Sequence, residues 1–174
     1  MRIAETSALV VLDCDPLKGL WYNWIHAADG WPGVDVVERE YARLIREGRL
    51  GFPFYVYLDA TETQLRQRRA DDATRRRRGF EKNVKAVGPQ RRYFAALEVL
   101  DPGRVAFIDT SDRESVVEQA IAAVRAHGAM ARDPLAVLAS IARWIREHPP
   151  LARAASSDAG DGLPKADEEG MKNC

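Results

Sequence analysis

Cysteine and histidine are scarce in this sequence. Its two cysteines, Cys14 and Cys174, stand at opposite ends, and its three histidines, His26, His127 and His148, are scattered. That spacing fits neither a disulfide framework nor a Cys/His zinc site. It leads to the expectation of a reduced, cytoplasmic protein. Long apolar runs are missing too: none approaches the ~20 residues that cross a bilayer, so no membrane partner is expected. The N-terminus, MRIAETSALVVLDCD, lacks signal-peptide form, because its apolar run is short and is followed by acids. There is no net charge either, with 26 Lys and Arg against 26 Asp and Glu. A general nucleic-acid binder is usually basic, so no nucleic-acid partner is expected. There is no internal repeat.

What is present is an ordinary globular composition, 46% hydrophobic over 174 residues, long enough for one domain with a real core. The positive charge is concentrated in residues 54–92. There Arg66, Arg68 and Arg69 are followed by Arg75, Arg76, Arg77 and Arg78, then Lys82, Lys85, Arg91 and Arg92, opposed after Arg66 by Asp71, Asp72 and Glu81. Guanidinium forks bind phosphate oxygens bidentately, so this stretch suggests a segment that closes over phosphate.

The order of elements points to an α/β fold. Ser7 to Leu12, Phe54 to Leu58 and Arg104 to Ile108 are short apolar runs that suit buried parallel strands. Helical spacing predicts helices over Leu17 to Ala27, Asp35 to Gly48 (capped by Asp35), Thr61 to Ala73 and Glu81 to Leu100. Gly88-Pro89 is expected to kink or split the last of these. Ser111-Asp112-Arg113-Glu114 reads as the start of a further helix, with Val116, Val117, Ala120, Ile121 and Val124 on one face. Asp133-Pro134 starts a final helix that His148-Pro149-Pro150 closes. Alternating strands and helices argue a three-layer parallel sheet with flanking helices. The expected units are a core over residues 1–128, a C-terminal helix over 129–150 and a disordered tail over 151–174. Each strand ends in acids (Asp13 and Asp15, Asp59, Asp109), and in open α/β sheets ligands sit beyond those ends.

Three segments resemble P-loop nucleoside and nucleotide kinases from their middle onward. VVLDCDPLK resembles the acidic strand end of nicotinamide-riboside-kinase-like proteins. YLDATETQLRQRR is similar to the strand and arginine helix before the lid of thymidylate-kinase-like proteins, and RRRRGFEKN is similar to the lid itself. The FIDTS strand end falls where such kinases hold the adenine side of the nucleotide. The match spans residues 7 to 126. The resemblance implies an ATP-dependent phosphotransferase using ATP and Mg²⁺, with a small hydroxylated or phosphorylated acceptor; a homo-oligomer is compatible with it. One part of the pattern does not occur in the 174 residues: the G-x-x-x-x-G-K-S/T loop that holds the triphosphate. The fold implied is therefore P-loop kinase-like but N-terminally incomplete, with the strand between those ending at Asp13 and Asp59 missing. A start annotated too late, a true remnant, or a second polypeptide supplying the loop would each account for this.

Each candidate residue has two readings. Asp13 and Asp15 are a strand-end turn and cap, or a Mg²⁺ ligand (Asp13) and the base that orients the acceptor hydroxyl. Lys18 is solvated or reaches a phosphate. Arg66 and Arg69, three apart on one helix face, clamp one phosphate or face solvent. Arg75 and Arg76, with catalytic Arg77 and Arg78, form a lid or an exposed basic loop. Trp21, Tyr22 and Trp24 stack on an acceptor ring or fill the core. The alternative function is a non-catalytic remnant that uses its arginine-rich segment as an interaction or regulatory module.

Overall fold

The computed structural model describes residues 10–72, 74, 79–127 and 132–150. Within them the elements run α1 (Lys18–Ile25), a 3-10 turn (Ala27–Asp29), α2 (Val34–Arg46), β1 (Tyr55–Asp59), α3 (Glu62–Asp71), α4 (Phe80–Leu100), β2 (Val105–Asp109), α5 (Val116–Ala126) and α6 (Pro134–Glu147). The strands pair in parallel with Tyr55 opposite Val105 and Asp59 opposite Asp109, and α3 and α4 make the crossover between them. This is a mixed α/β fold whose sheet, among the described residues, has two strands. None of the described helices is long and apolar enough to cross a membrane.

Local chemistry sets several boundaries as expected. Thr61 and Gln64 form a reciprocal capping box at α3, with Thr61 Oγ1 accepting from Gln64 N and Gln64 Oε1 accepting from Thr61 N. Asp133 caps α6 ahead of Pro134 at its first turn. Gly48, with φ 67°, takes the left-handed turn that ends α2, a conformation that side chains with a Cβ resist.

Other boundaries differ from expectation. Val10 to Leu12 form no strand, and Val11 is 80% exposed. A parallel strand needs a ladder partner, and the pairing shown for β1 is with β2. The expected strand residues before Val10 lie outside the described residues. β1 itself is less buried than its apolar run suggests, with Leu58 55% exposed. Gly88-Pro89 does not split α4, which runs unbroken for 21 residues around Pro89. Tyr93, Phe94 and Leu97 hold its second half to the core, and Val84 is buried in its first half; together they offset the missing proline N–H. Asp35 is not the cap of α2. Gly33 holds that position, and Asp35 instead pairs with Arg146 of α6. Ser111 to Glu114 are exposed turn residues, and α5 starts at Val116. Val117 and Ile121 face solvent, because they lie one residue off the half-buried line of Val116, Ala120 and Val124.

The core forms where α1, α4 and α6 meet the start of the sheet. Leu17, Leu20, Tyr93, Leu97, Val137, Leu138 and Ile141 are buried there, with Tyr55 and Val105 from the strands. Trp21 and Trp24 belong to this core, which takes the packing reading of the two over stacking on a ligand. Gly19 lets α1 approach α2: a Cβ there would meet Tyr41 Oη at 2.5 Å, and Gly19 N donates to that hydroxyl at 3.1 Å.

Candidate anion-binding site

The two strand ends form one junction. Asp59 and Asp109 lie side by side, and Thr110 ties them by donating its N–H (3.1 Å) and hydroxyl (2.8 Å) to Asp59 O. Arg68, projecting from α3, donates to Thr110 Oγ1 at 3.0 Å and also to Thr110 O. Asp59 accepts from Arg91 Nε of α4 at 2.8 Å. Asp109 accepts from the N–H and hydroxyl of Ser111, which hold its carboxyl below the usual carboxylate value. Two clefts flank this junction. One of about 530 Å³ is lined by Arg68, Arg69, Phe80 and Arg113, with Asp71 and Asp72 opposing them. The other, about 690 Å³, is lined by Asp59, Thr61, Glu62, Arg91, Asp109 and Ser111.

Arg66 and Arg69 come together as their spacing suggests, one turn apart on α3. They converge on Glu81, in the first turn of α4. Arg66 grips both oxygens of that carboxylate, Nη1 to Oε1 at 3.0 Å and Nη2 to Oε2 at 2.9 Å. Arg69 adds Nη1 to Oε1 at 3.2 Å and lies over the Phe80 ring, 4.4 Å from its centroid. Glu62 holds the other side of the Arg66 guanidinium. Hydrogen bonds from Arg66, then the charges of Arg66, Arg69 and Lys85, keep Glu81 below the usual glutamate value despite some desolvation. α4 begins here at Gly79 without a side-chain cap, so its positive helix end also faces this anion.

The N-terminal acids are placed elsewhere. Asp15 is bonded to Tyr55, the first residue of β1, rather than standing with Asp59 and Asp109 at the strand ends. Its Oδ1 accepts from Leu17 N (2.7 Å) and Tyr55 Oη (2.9 Å), and its Oδ2 accepts from Trp21 Nε1 (2.7 Å). Burial pushes its carboxyl up, and these three donors pull it part of the way back. Asp13 is exposed and makes no hydrogen bond or ion pair among the described residues. The two acids therefore differ in their surroundings, Asp13 exposed and Asp15 half-buried in a network of three donors. Among the described residues no three Asp, Glu, His or Cys side chains gather as a metal-ligand group. Lys18 is exposed, with Nζ 5.2 Å from the centroid of the Tyr22 ring. Arg75, Arg76, Arg77 and Arg78 lie outside the described residues.

Sequence reasoning counted Arg68 and Arg91 in the basic stretch without giving either a site role, and gave none to Arg113 or Thr110. Arg68 is two residues from Arg66, which turns it toward the strand ends and away from the Arg66–Arg69 face. That offset was the available signal. Comparison with family models, with curated proteins and with solved structures finds no match for this chain.

Proposed function

We propose that this chain is a phosphate-handling α/β unit of the phosphotransferase kind, in which the arginines of α3 receive the phosphates of a nucleotide. The observation that carries this reading is the Arg66–Arg69 fork. It already grips a carboxylate bidentately, and the same donors suit phosphate oxygens. The adjoining cleft adds Arg68, Arg113 and the Phe80 ring, beside the FIDTS strand end to which the resemblance assigns the adenine side. The finer picture belongs to the same proposal: a three-layer P-loop kinase-like sheet, ATP with Mg²⁺, a lid of Arg75 to Arg78 and a small hydroxylated or phosphorylated acceptor. Because the 174 residues hold no G-x-x-x-x-G-K-S/T loop, transfer itself needs that loop from elsewhere.

A second reading is a non-catalytic module that presents the same arginines to an acidic partner. The placement of Asp15 favours it. The carboxylate expected to orient an acceptor hydroxyl already accepts from three protein donors.

Titration with Mg-ATP tests the proposal. The 174-residue chain should bind more weakly than ~1 μM, and Arg66→Ala/Arg69→Ala should weaken binding a further ~10-fold. Binding indifferent to both substitutions removes the arginine assignment. Micromolar affinity would show that the missing loop is not the main triphosphate contact. An acidic peptide that binds through these arginines where Mg-ATP does not would select the second reading.

A further inference from the structure

We propose that α1 and the first turn of α4 form a second binding site, for a planar aromatic anion, built on the ring of Tyr22. Two ammonium groups from separate elements converge on that ring. Lys18 Nζ lies 5.2 Å and Lys82 Nζ 5.8 Å from its centroid. Neither lysine makes an ion pair among the described residues, whereas Arg66, Arg69 and Arg91 around the strand ends all do. The carboxylate whose charge Lys18 feels, Asp15, already accepts from Leu17, Trp21 and Tyr55. Among the described residues neither ammonium group over Tyr22 is held by a direct ion pair, and Lys18 interacts with Asp15 only at a distance.

The ring is framed by other aromatics. Trp31 meets Tyr22 edge-on, with centroids 5.0 Å apart and planes at 76°, and is 44% exposed. His26 lies 4.4 Å away on the core side, held by its Nδ1 contact with Asp29 at 2.8 Å. An exposed tryptophan beside a tyrosine gives a flat ligand a wall of large, rigid area. Paired ammonium groups give a carboxylate or phosphate its counter-charge. A ligand that carries both a ring and an anion uses both parts, while a bare anion or a neutral ring uses one. The site is made by α1, the segment before α2 and the start of α4. It uses neither Arg66 nor Arg69 and does not depend on phosphoryl transfer.

The test follows the indole N–H signals of the ¹⁵N-labelled chain by NMR, with the Trp31 signal assigned through Trp31→Phe. The probes are phenyl phosphate, benzoate, inorganic phosphate and phenol. Phenyl phosphate or benzoate should shift the Trp31 signal and bind ~10-fold more tightly than inorganic phosphate or phenol. Whichever of the two binds more tightly identifies the anion as phosphate or carboxylate. Lys18→Ala/Lys82→Ala should weaken that binding ~10-fold, while Arg125→Ala/Arg143→Ala, which removes the same charge from exposed helix positions elsewhere, should leave it unchanged. The proposal fails if the aromatic anions bind no better than inorganic phosphate. It fails equally if the two double variants weaken binding to the same extent.

Discussion

At the residue scale, the decisive side chains are those whose environment sequence alone did not disclose. Asp15 reads in sequence as a strand-end acid, yet it is fastened inside the molecule by Leu17 N, Trp21 Nε1 and Tyr55 Oη. All three partners are donors, so they require an acceptor-only side chain. Asp15→Asn would turn an amide N–H₂ toward one of them. At neutral pH it should lower the unfolding free energy by about 1–2 kcal/mol, as read by urea denaturation; an Asn variant as stable as the parent contradicts the assignment. The pH dependence has a definite sign. Burial raises the folded-state value of Asp15 above its ordinary 3.8. The protein therefore gains stability from this group that is fully present below 3.8 and is lost as pH rises through the raised folded value. The stability gap between the parent and Asp15→Asn should widen as pH falls from neutrality toward 4.

Arg104 is a second residue that composition hides. It is 1% exposed, with Nε donating to Asp101 Oδ2 at 2.6 Å and Nη1 to Phe52 O at 3.0 Å. Arg104→Met strands the buried Asp101 carboxylate and should cost about 3–5 kcal/mol. Removing both charges, with Asp101→Asn added, should recover part of that loss in a double-mutant cycle. Strict additivity of the two substitutions would show that the pair is not coupled.

At the element scale, what could be read from sequence was local chemistry. The capping box at Thr61 and the Asp133-Pro134 start depend on residues within one turn, so spacing alone reveals them. What could not be read depends on partners distant in the chain. Val10 to Leu12 have the composition of a strand but show no ladder, and α4 passes through Pro89 with buried residues on both sides of it, Val84 before and Tyr93, Phe94 and Leu97 after. Pro89 has no N–H to offer Lys85 O, and its ring crowds that carbonyl. Pro89→Ala should therefore stabilise the protein by about 1–3 kcal/mol, measured by thermal or urea unfolding. A loss of stability would mean that Pro89 itself helps to seat Tyr93 and Phe94.

At the scale of the whole molecule, a chain of zero net charge brings Arg68 of α3 and Arg91 of α4 to the carboxyl ends of a two-strand parallel sheet, with Arg66 and Arg69 on the neighbouring face of α3. The α/β alternation was legible because β1, α3, α4 and β2 follow one another in sequence. The extent of the sheet was not, since it depends on which strands find neighbours. The pairing of Arg66 with Arg69 was legible from their three-residue spacing, but its present occupant, Glu81, comes from the next helix and was not. The central claim is that this fork is a seat for phosphate which Glu81 fills when no ligand is bound. Calorimetric titration of inorganic pyrophosphate into Glu81→Gln tests it most directly. All three side chains are exposed, so the substitution should leave the fold intact. With the competing carboxylate removed, pyrophosphate should bind ~5–10-fold more tightly than to the parent chain. Unchanged or weaker binding would contradict the claim and leave the fork as a structural ion pair.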